Sequence, residues 1–327
     1  MRNKTIKGLL ATTLLCTTLL AGCSSPTSSQ VVIYSNADDE AVAAMKNALD
    51  NNGYKDQYIF QTFATSELGG KLLAEGTNIE ADLVTMSSFY LDSAQDQNKM
   101  FVDLDFDVKT TEKFPSFYAP ITSQEGAIIV NTEELKANNL AMPTSLKDLA
   151  KPEYKDMISV TDITSSSTAW LLIQALVSEY GDDGAKEVLK GIYQNAGAHI
   201  ESSGSAPLKK ARAGEVAIGF GLRHQAVQDK ASGLPIDFVD PTEGNFSLTE
   251  SVAIVNKKSS DNQKKAMEMA KCIIENGREE LLKTYPNPLY EGETANSANQ
   301  STYPKVFSEK LTVDLLKKHQ NLSEECK

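Results

Sequence analysis

The chain has 327 residues, 41% of them apolar and 23% charged, with 32 Lys and Arg against 44 Asp and Glu and a net charge of −12. That balance is ordinary for a globular chain and excludes a disordered, collagen-like or multi-span membrane protein. The length allows about two domains, and phosphate backbones repel so acidic a chain, which excludes nucleic acid as a partner. Any anionic guest must then be held by local donors against the overall field.

Residues 1–22 read as a signal peptide. Arg2, Lys4 and Lys7 form a positive start, and Gly8 to Ala21 is free of charge but too short to span a bilayer comfortably. The segment ends in Leu20-Ala21-Gly22-Cys23, which resembles the lipobox of bacterial lipoproteins, where the cysteine becomes the lipid-modified first residue. The resemblance implies an extracytoplasmic protein anchored to the bacterial cell membrane through Cys23. Residues 23–30 form the lipidated end and a polar tether. Loss of residues 1–22 takes three positive charges from −12 and leaves −15. Cys16 leaves with the signal. Cys272 and Cys326 remain, either as one disulfide or as two thiols.

Val31 to Tyr34 is a short apolar run typical of a buried strand, followed by the turn- and cap-like Ser35 to Asp39. A helical pattern runs from Glu40 to about Asn52, with Gly53 as its stop. Tyr58 to Phe63 reads as a strand. Thr65 and Ser66 cap a helix over 67–75, and Ala81 to Met86 is the next strand. This alternation predicts a mostly parallel α/β layer. Asp103 to Asp107 alternates like a strand. Gly126 to Val130 and Met157 to Thr161 are buried-type strands. An apolar helix covers Ala169 to Tyr180, and a second, with Ser205 at its cap and Pro207 in its first turn, covers Ala206 to Ala213. Val216 to Phe220 and Ser251 to Val255 are strands, and Asn262 to Glu275 is helical. Two α/β lobes sharing a cleft fit this order better than two independent beads. Trp170 is expected in the core.

Several chemistries are missing. His199, His224 and His319 are the three histidines, and no two have metal-ligand spacing. There is no G-x-S-x-G elbow. Gly70-Lys71 lacks a P-loop's leading glycine, since Thr65 stands in its place, and Asp103-x-Asp105-x-Asp107 has Val108 where a calcium loop needs glycine. We therefore expect no enzyme, no metal and no cofactor.

What recurs is a hydroxyl-rich segment opening a helix. The first four N–H groups of a helix lack partners, and its dipole is positive there, so such a start holds anions. Thr164 to Thr168 is the strongest case, and Ser165, Ser166, Ser167 and Thr168 exceed what a cap requires. Thr65-Ser66 and Gly204-Ser205, with Ser203 beside the latter, are weaker copies, and Ser35 and Asn36 sit at the end of the first strand. Arg223 and His224 follow the strand ending at Phe220, where a cationic fork and an imidazole suit a phosphoryl group. Glu243, in a loop, suits a ligand's ammonium or hydroxyl.

These pieces resemble a family. From about Val31 to Leu289 the chain is similar to the solute-binding proteins of bacterial ABC importers, in the branch of ferric, phosphonate, sugar-phosphate and thiamine binders. The similarity rests on Val32-Ile33-Tyr34-Ser35, Ala81-Asp82-Leu83-Val84, Gly126 to Thr132, Thr144 to Leu149, Pro152 to Asp156, the Ser-rich turn before Ala169, and Ala213 to Gly219, in that order behind a lipobox. It implies an α/β, two-lobed periplasmic-binding-protein-like (type II) fold with mixed sheets and a hinge. Lobe 1 would comprise 31–124 and about 250–285, and lobe 2 would comprise 125–249 and about 286–327. Implied partners are a small anionic solute and an ABC permease with its ATPase, and the receptor is expected as a monomer. Ferric members use a tandem tyrosine pair after the strand matching Val216–Phe220. Here Gly221-Leu222 stands there, and no two of the eleven tyrosines are adjacent. Phosphate-binding members use the Ser-rich helix start, carried here onto Ser166, Ser167 and Thr168. A phosphonate or organophosphate receptor is thus expected, 2-aminoethylphosphonate first. A sugar-phosphate or ferric receptor, or a surface sensor or adhesin without transport, are the alternatives.

Overall fold

The computed structural model describes residues 30–258, 261–295 and 297–327, so the expected signal peptide and Cys23 lie outside the described residues. In chain order the elements are β1 (Val31–Ser35), α1 (Asp39–Leu49), β2 (Tyr58–Thr62), α2 (Thr65–Glu75), β3 (Leu83–Ser87), α3 (Ser88–Asn98), β4 (Tyr118–Asn131) and α4 (Thr132–Ala137). They continue with β5 (Ile158–Thr161), α5 (Thr168–Ala196), β6 (Ile200–Glu201), α6 (Ala206–Ala213), β7 (Ile218–Leu222), α7 (Arg223–Ala231), β8 (Ile236–Val239) and β9 (Asn245–Ile254). The chain closes with α8 (Asp261–Cys272), α9 (Arg278–Thr284), β10 (Pro304–Lys305) and α10 (Val313–Glu324). No described helix is long and apolar enough to cross a membrane.

The strands run β2-β1-β3-β9-β4-β7-β5-β6, with β8 beside β4 and β10 beside β9. β2, β1 and β3 are parallel, as are β7, β5 and β6, while β9 runs antiparallel to β3 and β4, and β4 antiparallel to β7 and β8. β4 is the crossover. Tyr118 to Glu125 pairs with β9, and from Gly126 the strand pairs with β7 instead. A Cβ at Gly126 would lie 2.6 Å from Phe220 Cζ and 3.0 Å from Leu171 Cβ, so the glycine makes room for that ring and for α5 where the partner changes. The result is the two-lobed periplasmic-binding-protein fold.

Apolar continuity explains the layers. Val31 and Ile33 join one core with Met45 and Leu49 of α1 and Met269 of α8. Val32 and Tyr34 point the other way, into a core with Leu68 of α2 and Leu91 of α3. Side chains alternate along a strand, so a strand covered on both faces must be apolar throughout. Lobe 2 repeats the plan, with α5 over Ile128 and Val130 and with α6 and α7 over Ile129.

Some elements differ from the sequence expectation. Asp103 to Asp107 forms no strand. Its alternation reflects Leu104 and Phe106 packing inward from a segment that bends at Asp105 and Phe106 and has no ladder partner along it. α2 starts at Thr65 rather than after Ser66, because Leu68 N–H already bonds Ala64 O. α5 runs on past Tyr180 to Ala196, but Gly181 at φ +67° breaks it just where the expected helix ends. Cys272 and Cys326 are both free and buried, in separate cores, so they form no disulfide. Trp170 is fully buried, and its Nε1 donates to His319 Nδ1 at 2.7 Å.

Candidate functional site

A cavity of about 320 Å³ lies between the lobes. Four segments wall it, and each leads into a helix. Asn36 to Asp39 opens α1, Thr62 to Thr65 opens α2, Ser165 and Ser166 precede α5, and Ser202 to Ser205 precede α6. The residues at the four caps, Asp38, Ala64, Ser167 and Ser205, make no side-chain cap bond. Such starts turn positive dipole ends toward a guest, although at α5 Thr168 N is taken by Ser166 Oγ, and Ala169 N and Trp170 N by the carbonyls of Ser166 and Ser167. Lys209, one turn into α6, adds a cation to the same wall.

Local hydrogen bonds shape the lobe 2 wall. Asp162 accepts from Thr164 N and Thr164 Oγ1, both at 2.8 Å, and its carbonyl takes Ser165 N and Ser166 N. Ser166 Oγ takes Thr168 N at 3.3 Å. Gly204 lets the two helix starts touch, since a Cβ there would sit 2.2 Å from Thr168 Oγ1 and 3.2 Å from Ser166 Oγ. On the lobe 1 wall, Asn36 Nδ2 bridges Thr65 Oγ1 at 3.1 Å and Glu250 Oε1 at 2.9 Å, while the buried Asn36 Oδ1 has no partner. Burial, with Asp38 adding to it, pushes Glu250 up to about 7. Burial raises Asp38 as well, helped by Glu40 and Asp39 and opposed by Lys209.

Of the residues expected from the sequence, Asn36, Thr65, Ser165, Ser166, Ser203 and Ser205 line the cavity. Ser66 and Ser167 line a narrow crevice beside it, against Phe89 and Gln320. Thr168 is buried behind the cradle, against Gly204. Ser35 is fully buried and holds the turn, its Oγ taking Ala37 N at 3.0 Å and Thr85 Oγ1 at 2.6 Å.

Three expected contacts are corrected. Arg223 is buried and spent: it holds Asp240 at 2.7 and 3.2 Å, the carbonyls of Ala298 and Gln300 at 3.0 and 3.1 Å, and the Phe238 ring. His224 is buried with its ring 4.9 Å from that of Tyr285, and burial lowers it to about 4, so it is no cation. Glu243 is buried and accepts Leu146 N, Lys147 N and Tyr180 Oη, each at 2.9 Å. None of the three lines the cavity, because each polar group is satisfied or sealed within the fold.

The sequence reading missed Asp38, Asp39 and Lys209 as site residues. The first two stood in the segment read as turn- and cap-like, and Lys209 lies four residues after Ser205, hence on the same face of α6. Neither tyrosine nor histidine lines the cavity. Among the described residues no group of three or more His, Cys, Asp or Glu is arranged to hold a metal ion.

Comparison with known proteins bears on the family and the fold. The family model described as "Bacterial extracellular solute-binding protein" matches residues 79–307. An uncharacterized protein of Haemophilus influenzae is 31% identical over 137 residues, 41% of this chain and 39% of that protein, so the chain spans well under half of that relative's length. The spermidine/putrescine-binding periplasmic protein of Salmonella typhimurium is 26% identical over 277 residues, 75% of each chain. Among solved structures, the periplasmic binding protein AfuA of Actinobacillus pleuropneumoniae, with exogenous fructose-6-phosphate bound, superposes with a TM-score of 0.68 at 23% identity. That superposition covers 90% of this chain and 97% of AfuA.

Proposed function

The chain belongs to the bacterial extracellular solute-binding protein family, and from that membership we propose that it captures a small phosphonate or organophosphate between its lobes and passes it, unaltered, to an ABC permease and its ATPase. The single observation that carries the ligand class is the convergence of four helix starts, none capped by the side chain of its own cap residue, on one cavity edged with hydroxyls. Such a site offers N–H and O–H donors to an oxyanion in an otherwise acidic protein. 2-Aminoethylphosphonate is the first candidate. Glu243 no longer supplies a seat for its ammonium group, whereas Asp38 and Asp39 stand in the cavity wall.

A ligand that binds only the native state raises the melting temperature by mass action. Thermal shift with methylphosphonate, 2-aminoethylphosphonate, fructose-6-phosphate, ferric citrate and spermidine tests the reading. Saturable stabilisation by the phosphonates or the sugar phosphate is expected. Stabilisation by spermidine or ferric citrate alone would overturn the oxyanion assignment. We further propose a monomeric lipoprotein held outside the cytoplasm by Cys23. Labelling of cells with a palmitate analogue should tag the wild type and not Cys23→Ala.

A further inference from the structure

The lobe 1 wall of the cavity is tied to a carboxyl group that stands behind it. Glu250 sits within β9, in register with Ser87 of β3 on one side and Thr122 of β4 on the other, so its backbone is held from both directions. The side chain is buried, and the donors that reach Oε1 are neutral: Asn36 Nδ2 at 2.9 Å and Ser87 Oγ at 3.5 Å. A carboxyl group so placed is harder to bury than an apolar side chain, and folding alone gives no reason for it.

Glu250 ends a short chain of hydrogen bonds that leads into the cavity. Asn36 Nδ2 is shared between Glu250 Oε1 and Thr65 Oγ1, the second at 3.1 Å, and both Asn36 and Thr65 are in the cavity wall. Because Oε1 accepts, it holds the Asn36 amide with its nitrogen toward Thr65, and a proton on Oε2 leaves that bond in place. Thr65 Oγ1 then accepts from Asn36, which leaves the hydroxyl hydrogen of Thr65 for another acceptor. Thr65 is also the first residue of α2, so the same bond fixes where that helix start stands.

We infer that Glu250 is a positioning residue for solute capture: through Asn36 it holds Thr65 as a donor toward an oxyanion, and the charge of that guest is coupled to a proton on the Glu250 carboxyl group. This rests on the oxyanion reading of the cavity. The groups around Glu250 set the direction of the coupling. Burial disfavours its ionised form, and Asp38 ahead of α1 adds to that. Tyr285, after α9, feels both Asp38 and Glu250 and is kept protonated by burial, with the neutral His224 ring against it. Glu40 bears on Asp38 and Tyr285, while Lys209 opposes it at Asp38. Arg278 of α9 reaches Ile121 O beside Thr122 but is committed to Glu293 at 2.7 and 2.9 Å. A guest anion joins Asp38 in opposing the ionised form, so binding is tighter while Glu250 holds its proton.

Titration calorimetry with methylphosphonate and fructose-6-phosphate tests both parts. Glu250→Ala and Thr65→Val should each weaken binding about tenfold, and the double variant should be about as weak as the weaker single one, since both remove the same contact. Glu250→Gln, whose Oε1 can accept from Asn36, should recover most of what alanine loses. The ratio of wild-type to Glu250→Gln affinity cancels the ionisation of the ligand itself, and it should fall at least threefold from pH 6 to pH 8. That ratio needs only the glutamine variant, so it decides even if the alanine variant folds poorly. Losses that multiply in the double variant, or a glutamine variant as weak as the alanine one, would overturn the positioning role, and a ratio flat with pH would overturn the proton coupling. Either outcome spares the cradle. If neither probe binds the wild type, the cradle falls and the role of Glu250 with it.

Discussion

At the residue scale, cavity residues and buried polar residues predict opposite phenotypes. Gly204 is needed because two helix starts meet there, with Thr168 Oγ1 2.2 Å from where a Cβ would sit. Gly204→Ala must push those starts apart. We expect methylphosphonate affinity to fall about tenfold, some 1.4 kcal/mol, in titration calorimetry. Glu243 lies away from the cavity and satisfies two backbone N–H groups and a tyrosine hydroxyl. Glu243→Ala orphans those donors and should cost about 3 kcal/mol of stability in urea unfolding, at about 1–3 kcal/mol per buried group. Its ligand affinity should stay within twofold. A loss of affinity there, without loss of stability, would return Glu243 to the site.

At the element scale, α10 ties the cradle to the body of the protein. His319 takes the Trp170 N–H, Gln320 Nε2 donates to Ile163 O at 3.3 Å, and Lys327 pairs with Asp162 at 2.7 Å. Trp170 is in the first turn of α5, and Asp162 anchors the turn that carries Ser165 and Ser166. Trp170 also meets Phe89 of α3 edge to face at 4.9 Å, so α10 and α5 join lobe 2 to lobe 1. His319→Ala leaves a buried indole N–H without an acceptor and a space where the imidazole was. We expect a loss of about 2–4 kcal/mol by thermal or urea unfolding, and His319→Gln should recover part of it. The partner change at Gly126 in β4 is the matching device on the sheet, placing the two halves of one strand in different lobes.

At the scale of the whole molecule, buried titratable groups set how stability depends on pH. Burial holds His224 and His319 near 4, below their unfolded value of about 6.5. Between those values the unfolded chain binds more protons than the folded one, so each histidine costs stability as pH falls from 6.5 to 4. Glu250 works in reverse. Its folded value of about 7 exceeds the unfolded 4.5, so its stabilising protonated form is lost as pH rises through 7. Two histidines outweigh one glutamate below 6.5, and above it only the glutamate slope remains. From these groups stability should climb from pH 4 to about 6.5 and then sag slightly. Urea unfolding across this range should show that shape, and Glu250→Gln should steepen the acid limb by one proton and abolish the sag. An unchanged pH profile in Glu250→Gln would show that Glu250 titrates normally.

Much of this was legible in the residues alone. Apolar runs such as Val31 to Tyr34 and Ile128 to Val130 marked buried strands because a strand covered on both faces has no polar side to show. Hydroxyl-rich helix starts marked the lobe 2 wall because short polar side chains gather at a helix N-terminus whatever the helix packs against. Arg223 and Glu243 could not be judged that way. A charge in a loop or at a strand end looks the same whether it meets a guest or a partner 17 or 97 residues away, as Asp240 and Leu146 turn out to be. Nor could Asp38, Lys209 and Gly204 declare a shared cleft, since their meeting depends on how segments far apart in the chain are brought together across strands that exchange partners. Local propensity belongs to the sequence, whereas which donors stay unpaid is settled only by tertiary contacts between segments far apart in the chain.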